Sequence, residues 1–198
     1  MPESVPTASG GGGLRSPQFV CKNAVMPTMT DPSAVLPSFQ QAVSRGSIKL
    51  ERGTEHPELY IHADLPDGRN PRVTFARIED GTVTVMVQFV EADPYEGLPC
   101  YAIGYAVPEA YRNQGRATDT VTKAISELWH GLRYRRTPTF YVEAVIDIEN
   151  TASQRVAEQA ISRTSKDAID KISGRPALQY FCLCDESVFY PSTLPVEI

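Results

Sequence analysis

The sequence predicts a mixed α/β (α+β) fold: a mostly antiparallel sheet with a central parallel strand pair, flanked by helices. Three observations point there. Between residues 59 and 107, short runs rich in Val, Phe and Tyr alternate with turn signals at Pro66-Asp67-Gly68, Asp80-Gly81 and Asp93–Gly97, the pattern of a meander. From Tyr101 to Ile146 the chain reads strand, helix, strand, and a helical crossover joins parallel strands with a right-handed path. A last pair of runs, Asp167–Ile172 and Ala177–Cys184, flanks Ser173-Gly174 as a hairpin.

The elements follow in order. Residues 1–15 are rich in Gly, Ser and Pro, and the run Gly10–Gly13 offers no side chains to offset its ordering entropy. They are expected to form a flexible tail, with residues 16–198 a single domain. Gln18–Thr30 carries no decisive pattern. Asp31-Pro32-Ser33 is a helix start, and Val35, Phe39 and Val43 recur at helical spacing, which predicts a helix over Ser33–Arg45 ending before Gly46. Strands are predicted at Leu59–Ala63, Val73–Ile78, Thr82–Val90 and Tyr101–Val107, with Asp93–Gly97 a loop. Ala117, Val121, Ala124, Ile125, Leu128 and Leu132 mark one face of a long helix. Phe140–Ile146 is the next strand, and Asn150 is placed to cap a helix from Thr151 to about Ile161.

Composition narrows the function. The chain of 198 residues carries a net charge of −5, which argues against wholesale binding to nucleic acid or to an anionic membrane and favours a basic partner. No apolar run is long enough to span a bilayer, and the N-terminus lacks a charged region followed by an apolar one. A cytoplasmic protein is the expectation. His56, His62 and His130 are scattered, and Cys21, Cys100, Cys182 and Cys184 form no framework, so reduced thiols are expected and no metal site. A homodimer is left open.

The stretch with the most chemistry is Cys100–Ala117. A strand runs into Arg112-Asn113-Gln114-Gly115-Arg116-Ala117 and then straight into a helix. Backbone N–H groups from about Asn113 to Ala117 would point one way at the positive end of the helix dipole, a geometry made for phosphate. Gly115 allows close approach, and Arg112 and Arg116 would add fixed charge. The chain has neither G-x-x-x-x-G-K-[ST] nor G-x-G-x-x-G, which sets it apart from the common nucleotide-binding motifs. Taken alone, the loop reads equally as an ordinary glycine turn.

These residues resemble the GNAT superfamily of acetyl-CoA-dependent N-acetyltransferases. Arg112–Ala117 fits its phosphate loop, Q/R-x-x-G-x-G/A, and Gly104-Tyr105-Ala106-Val107 stands where the family's splayed, pantetheine-binding strand lies. A second match, Asp147-Ile148-Glu149-Asn150-Thr151-Ala152-Ser153, is similar to the D-x-x-N-x-x-S turn into the fourth family helix. That turn is typical of the branch that includes ribosomal-protein N-terminal acetyltransferases. The chain departs from the pattern at Ala157, where the family often supplies a tyrosine acid, and at Ile161-Ser162, where a Gly-Phe often stands.

The resemblance implies acetyl-CoA as cosubstrate and an amine-bearing small molecule or peptide as acceptor. The amine attacks the thioester directly, with no acyl-cysteine. Arg112, Asn113, Gln114, Gly115, Arg116 and Ala117 would hold the pyrophosphate, and Ala106 and Val107 would offer backbone groups to pantetheine and the thioester. Asn150 would contact pantetheine or acceptor, and Ser153 would meet the departing sulfur. A serine hydroxyl is a poor acid, so hydrogen bonding is its expected work. A helix cap and a surface serine is the alternative for that pair. A base must take the amine's proton, since alkylamines are protonated at neutral pH. Glu143 ranks first, a carboxylate in an otherwise apolar strand, ahead of Asp147, Glu91 and Asp93; for each taken singly, a solvated carboxylate is the favoured reading. Glu91, Asp93 and Glu96 form an acidic loop that suits a cationic amine. Arg133, Arg135 and Arg136 follow a helix C-terminus, where cations are favoured, and read as structural. The alternative function is a CoA-binding regulatory or interaction module that has lost catalysis.

Overall fold

The computed structural model describes residues 31–190. The expectations for residues 1–15 and for Gln18–Thr30, Cys21, and both ends of the domain expected over residues 16–198 fall outside them.

Among the described residues, eight strands form one sheet in the order β1-β2-β3-β4-β5-β6-β8-β7. They are β1 (Glu51–Arg52), β2 (Leu59–Asp64), β3 (Arg72–Glu79), β4 (Thr82–Tyr95), β5 (Leu98–Ala106), β6 (Phe140–Asp147), β7 (Lys166–Ile169) and β8 (Pro176–Cys184). Four helices accompany them: α1 (Pro32–Arg45), α2 (Arg116–Arg133), α3 (Thr151–Ala160) and α4 (Glu186–Phe189). Every pairing is antiparallel except β5 with β6, which is parallel. The mixed, mostly antiparallel sheet with one parallel pair is therefore as the sequence predicts. Among the described residues no helix is long and apolar enough to cross a membrane.

Local chemistry sets the helix ends. Asp31 accepts from the Ser33 N–H at 2.9 Å, Pro32 opens α1, and Gly46 closes it at φ 60°. Asp80 and Gly81, at φ 48° and 76°, make the tight β3–β4 turn.

The interrupted alternation of β3 has a tertiary cause. Phe75, Val85, Val87 and Phe89 pack under α2 on one face of the sheet, while Ala76, Val83 and Met86 pack with Phe39 of α1 on the other. Strands covered on both faces read as continuous apolar runs, not alternating ones. A register shift between Arg77 and Ile78 adds to the irregularity.

Two expectations change. Asp93–Gly97 is not a loop: β4 continues to Tyr95, and Glu96-Gly97, at φ 49° and 79°, make a two-residue turn. A register shift between Ala92 and Tyr95 takes up Pro94, which cannot donate to a ladder. β7 stops at Ile169 rather than Ile172, because Asp170 accepts from the Ser173 hydroxyl at 2.7 Å and from the Ile172 N–H at 3.0 Å, building a turn. The short α4, capped by Asp185, and a 3-10 turn at Glu109–Tyr111 went unforeseen.

The parallel pair matters most for function. β5 and β6 are in register at Cys100↔Tyr141, Tyr101↔Val142 and Ala102↔Glu143, and pair no further. β5 runs on to Ala106 and β6 to Asp147, so the two strands splay toward their carboxyl ends, where ligands collect in such sheets.

Candidate functional site

A cavity of about 510 Å³ opens at that splay. Its lining includes Ala106 and Val107 from the end of β5, the whole loop Arg112–Ala117, and Asn150 and Ser153 from the start of α3. Ten of the eleven residues expected from the sequence thus lie around one space. Glu143 does not. It alternates with Val142 and Ala144, which face the α2 core, so its side chain projects from the opposite, α1 face of the sheet.

The loop wall is built from main chain. Gly115 caps α2 at φ 70° with no side-chain cap, and the first helical bond runs from the Asp119 N–H to the Gly115 carbonyl at 3.2 Å. The N–H groups of Arg116, Ala117 and Thr118 are therefore left over, the ordinary deficit of a helix start. Asn113 is also left-handed at φ 59°. A Cβ built on Gly115 would meet no atom within 4 Å, so the missing side chain keeps open space in front of these donors.

The two loop arginines differ. Arg112 Nε donates to the Val107 carbonyl at 3.0 Å and ties the loop to the end of β5. Arg116 donates through one nitrogen to both Glu79 oxygens at 2.8 Å and through Nε to Gln114 at 2.9 Å. The Arg116 hydrogen bond holds the Glu79 carboxyl below the usual carboxylate range. Glu79 also accepts from Arg77 Nε at 2.9 Å, so the Arg116 charge at the cavity is partly offset by a carboxylate that two arginines share. Arg155, which sequence reasoning missed, lines the cavity with no ion pair among the described residues. Ala152, Arg155, Val156 and Gln159 share the cavity face of α3 at helical spacing, a signal that could have found it.

The α3 wall is built from side chains. Asn150 Oδ1 accepts from the Ser153 N–H at 3.1 Å, so Asn150 is a helix cap and a cavity residue at once. Tyr105, named from the sequence only as part of the Gly104–Val107 strand, crosses from β5 and donates to the Ser153 carbonyl at 2.7 Å. Burial pushes its phenol pKa up, so it stays protonated. Ala157, in the place where a tyrosine acid was looked for, is fully buried.

On the other face, Glu143 accepts from Gln179 and lies 4.0 Å from Cys100 Sγ. Burial, with the Glu143 charge beside it, pushes the Cys100 thiol up to about 12, which suits an inert thiol. The other base candidates are differently placed. Asp147 pairs with Arg175 at 3.1 Å, Asp93 with Lys171 at 2.8 Å, and Glu91 is exposed. In the acidic hairpin, Glu96 accepts from Tyr141 at 2.7 Å, so two of its three carboxylates already have partners. Among the described residues no cluster could hold a metal ion.

A family model described as the acetyltransferase (GNAT) domain matches residues 51–160. The chain belongs to the GNAT acetyltransferase family. The match spans both cavity walls and omits α1, β7 and β8. Solved GNAT structures are similar at low identity. An acetyltransferase of Streptococcus pneumoniae is 12% identical with TM-score 0.42, covering 57% of this chain and 66% of its own. RimJ of Mycobacterium smegmatis, in complex with CoA-disulfide, is 18% identical with TM-score 0.43, covering 61% and 56%. A ribosomal-protein-S5-alanine acetyltransferase of Vibrio fischeri is 9% identical with TM-score 0.42, covering 61% and 64%. The chain thus spans 56% to 66% of the length of these three. No curated protein matches the sequence.

Proposed function

We propose that this protein is an N-acetyltransferase that passes the acetyl group of acetyl-CoA directly to an amine. One observation carries the reading. A single cavity joins the uncapped N-terminus of α2 to Ser153 at the ends of the splayed strands. The donor set fits CoA. The free N–H groups at the start of α2 suit its pyrophosphate, with Arg112 and Arg155 supplying charge. β5 beyond Ala102 has no partner on its β6 side, so its backbone groups up to Ala106 and Val107 suit the pantetheine amides. Bound acetyl-CoA supplies the activated thioester.

The chain's own groups divide the remaining work. Ser153 donates a hydrogen bond where charge builds on the departing sulfur, an interaction strongest in the transition state. Glu143 takes the amine's proton through water from the opposite face, so cofactor and acceptor enter from different sides of the sheet. None of the three described thiols lines the cavity, which supports direct transfer. The absence of a tyrosine from α3 keeps the alternative of a CoA-binding module in play.

Calorimetry with acetyl-CoA, followed by a CoA-release assay over amines, peptides and antibiotics, tests the reading. Binding with amine-dependent release supports the transferase. Binding without release, over the whole panel, leaves the CoA-binding module. A folded Gly115→Glu variant with unchanged acetyl-CoA affinity overturns both.

A further inference from the structure

Past Ala102 and Glu143 no backbone bond joins β5 to β6, yet the cavity needs two walls at a fixed separation. Among the described residues, two hydrogen bonds span from the β5–α2 wall to α3. Thr118 Oγ1 donates to Gln159 Oε1 at 3.1 Å, and Tyr105 Oη donates to the Ser153 carbonyl at 2.7 Å. The first lies at the α2 end, the second beside the serine assigned to the sulfur.

The Tyr105 bond does more than brace a helix. Ser153 is held at both of its backbone polar groups, its N–H by Asn150 and its C=O by Tyr105. With the main chain fixed, only χ1 remains to place the hydroxyl, and it has three staggered choices. Tyr105 itself is set by the sheet: it follows Tyr101 and Ile103 on the face of β5 that meets α2 and α3, and most of its ring is packed. The phenol is therefore a rigid rod from a paired strand to the start of α3 on the other wall. Its raised pKa keeps the phenol protonated and donating to the Ser153 carbonyl through the neutral range, which makes it a poor source of protons for a thiolate.

We propose that Tyr105 is a positioning residue for acetyl transfer, its hydroxyl fixing Ser153 across the splayed strands. The inference rests on the transferase reading above. It also explains how a chain with Ala157 in α3 manages its leaving group: a phenol from the strand orders a hydroxyl on the helix, in place of a phenol on the helix.

The test combines Tyr105→Phe, Ser153→Ala and the double variant, with an amine the wild type accepts. Tyr105→Phe keeps the ring and removes the hydroxyl. The Ser153 carbonyl retains its helical bond, so the melting temperature should move by only about 2–4 °C. Expected are a kcat about tenfold lower, acetyl-CoA affinity by calorimetry within about twofold, and no further loss of kcat when Tyr105→Phe is added to Ser153→Ala. Unchanged kcat in Tyr105→Phe overturns the proposal. So does a fall in acetyl-CoA affinity matching the fall in kcat, which would mean that the bond merely braces the fold. Losses that multiply in the double variant also overturn it, since Tyr105 would then act apart from Ser153. A wild type that binds acetyl-CoA and acetylates nothing in the panel overturns the transferase reading, and this inference with it.

Discussion

The two walls of the cleft are made differently. The β5–α2 wall presents main chain: a left-handed glycine at φ 70° and a helix start without a side-chain cap. The α3 wall presents side chains, Asn150 and Ser153, tied to a tyrosine 48 residues away. A main-chain wall depends on φ and on empty space, and it tolerates most side chains that keep both. A side-chain wall depends on single atoms. Damage to the first should therefore appear in cofactor affinity, and loss of Asn150 or Ser153 from the second in turnover.

The largest effect should come from Gly115→Glu. The new Cβ meets nothing, so the fold survives with a left-handed penalty of about 1 kcal/mol. A carboxylate facing the anion site should weaken acetyl-CoA binding about a thousandfold by calorimetry. Gly115→Ala should cost little affinity, and a large loss there would show that the wall depends on more than space and charge.

Glu143→Gln comes next and sharpens the comparison by standing outside both walls. If Glu143 is the base, kcat should fall about a hundredfold or more while acetyl-CoA affinity holds, because this side chain lies outside the cavity. Lost affinity would mean that the two faces are not separate. Ser153→Ala should lower kcat about tenfold to a thousandfold with affinity unchanged, and it slightly improves helix propensity. Full turnover in that variant would reduce Ser153 to a helix residue.

Charge effects should be smaller. Arg155→Ala should weaken acetyl-CoA binding about two- to fivefold, an effect that shrinks as salt is raised. Arg116 should matter less for binding than for the fold, because it is bonded to Glu79. The Glu79 carboxyl is held below its ordinary 4.5, so its stabilisation is present above that pH and lost as pH falls through the lowered value. Melting temperature should drop more steeply for wild type than for Glu79→Gln as pH falls from about 5 to about 3. Parallel curves would show that the pair contributes nothing.

The sequence carried much of this. The caps of α1, the Asp80-Gly81 turn, the Arg112–Ala117 loop and the Asn150 start of α3 are each written in a few adjacent residues, because turn and cap preferences act over one to four positions. The parallel pairing followed from the order of strand, helix and strand alone. Alternation failed in β3 and β4, where α1 and α2 cover opposite faces of the same strands. The end of β4 was missed because a bulge, which leaves little trace in composition, absorbed Pro94.

What the sequence by itself determined is therefore the set of local devices: a glycine turn into an uncapped helix start, a capped helix, and the order that sets them at the ends of two parallel strands. The tertiary structure decided which charges and hydroxyls those devices can use. It placed Glu79, 37 residues away, on Arg116, and it turned Glu143 to the far face. It also carried the Tyr105 phenol across the gap to Ser153. The physical reason is range. Backbone conformation is fixed by neighbours in the chain, whereas the partner of a long polar side chain is fixed by packing, which sequence spacing does not encode.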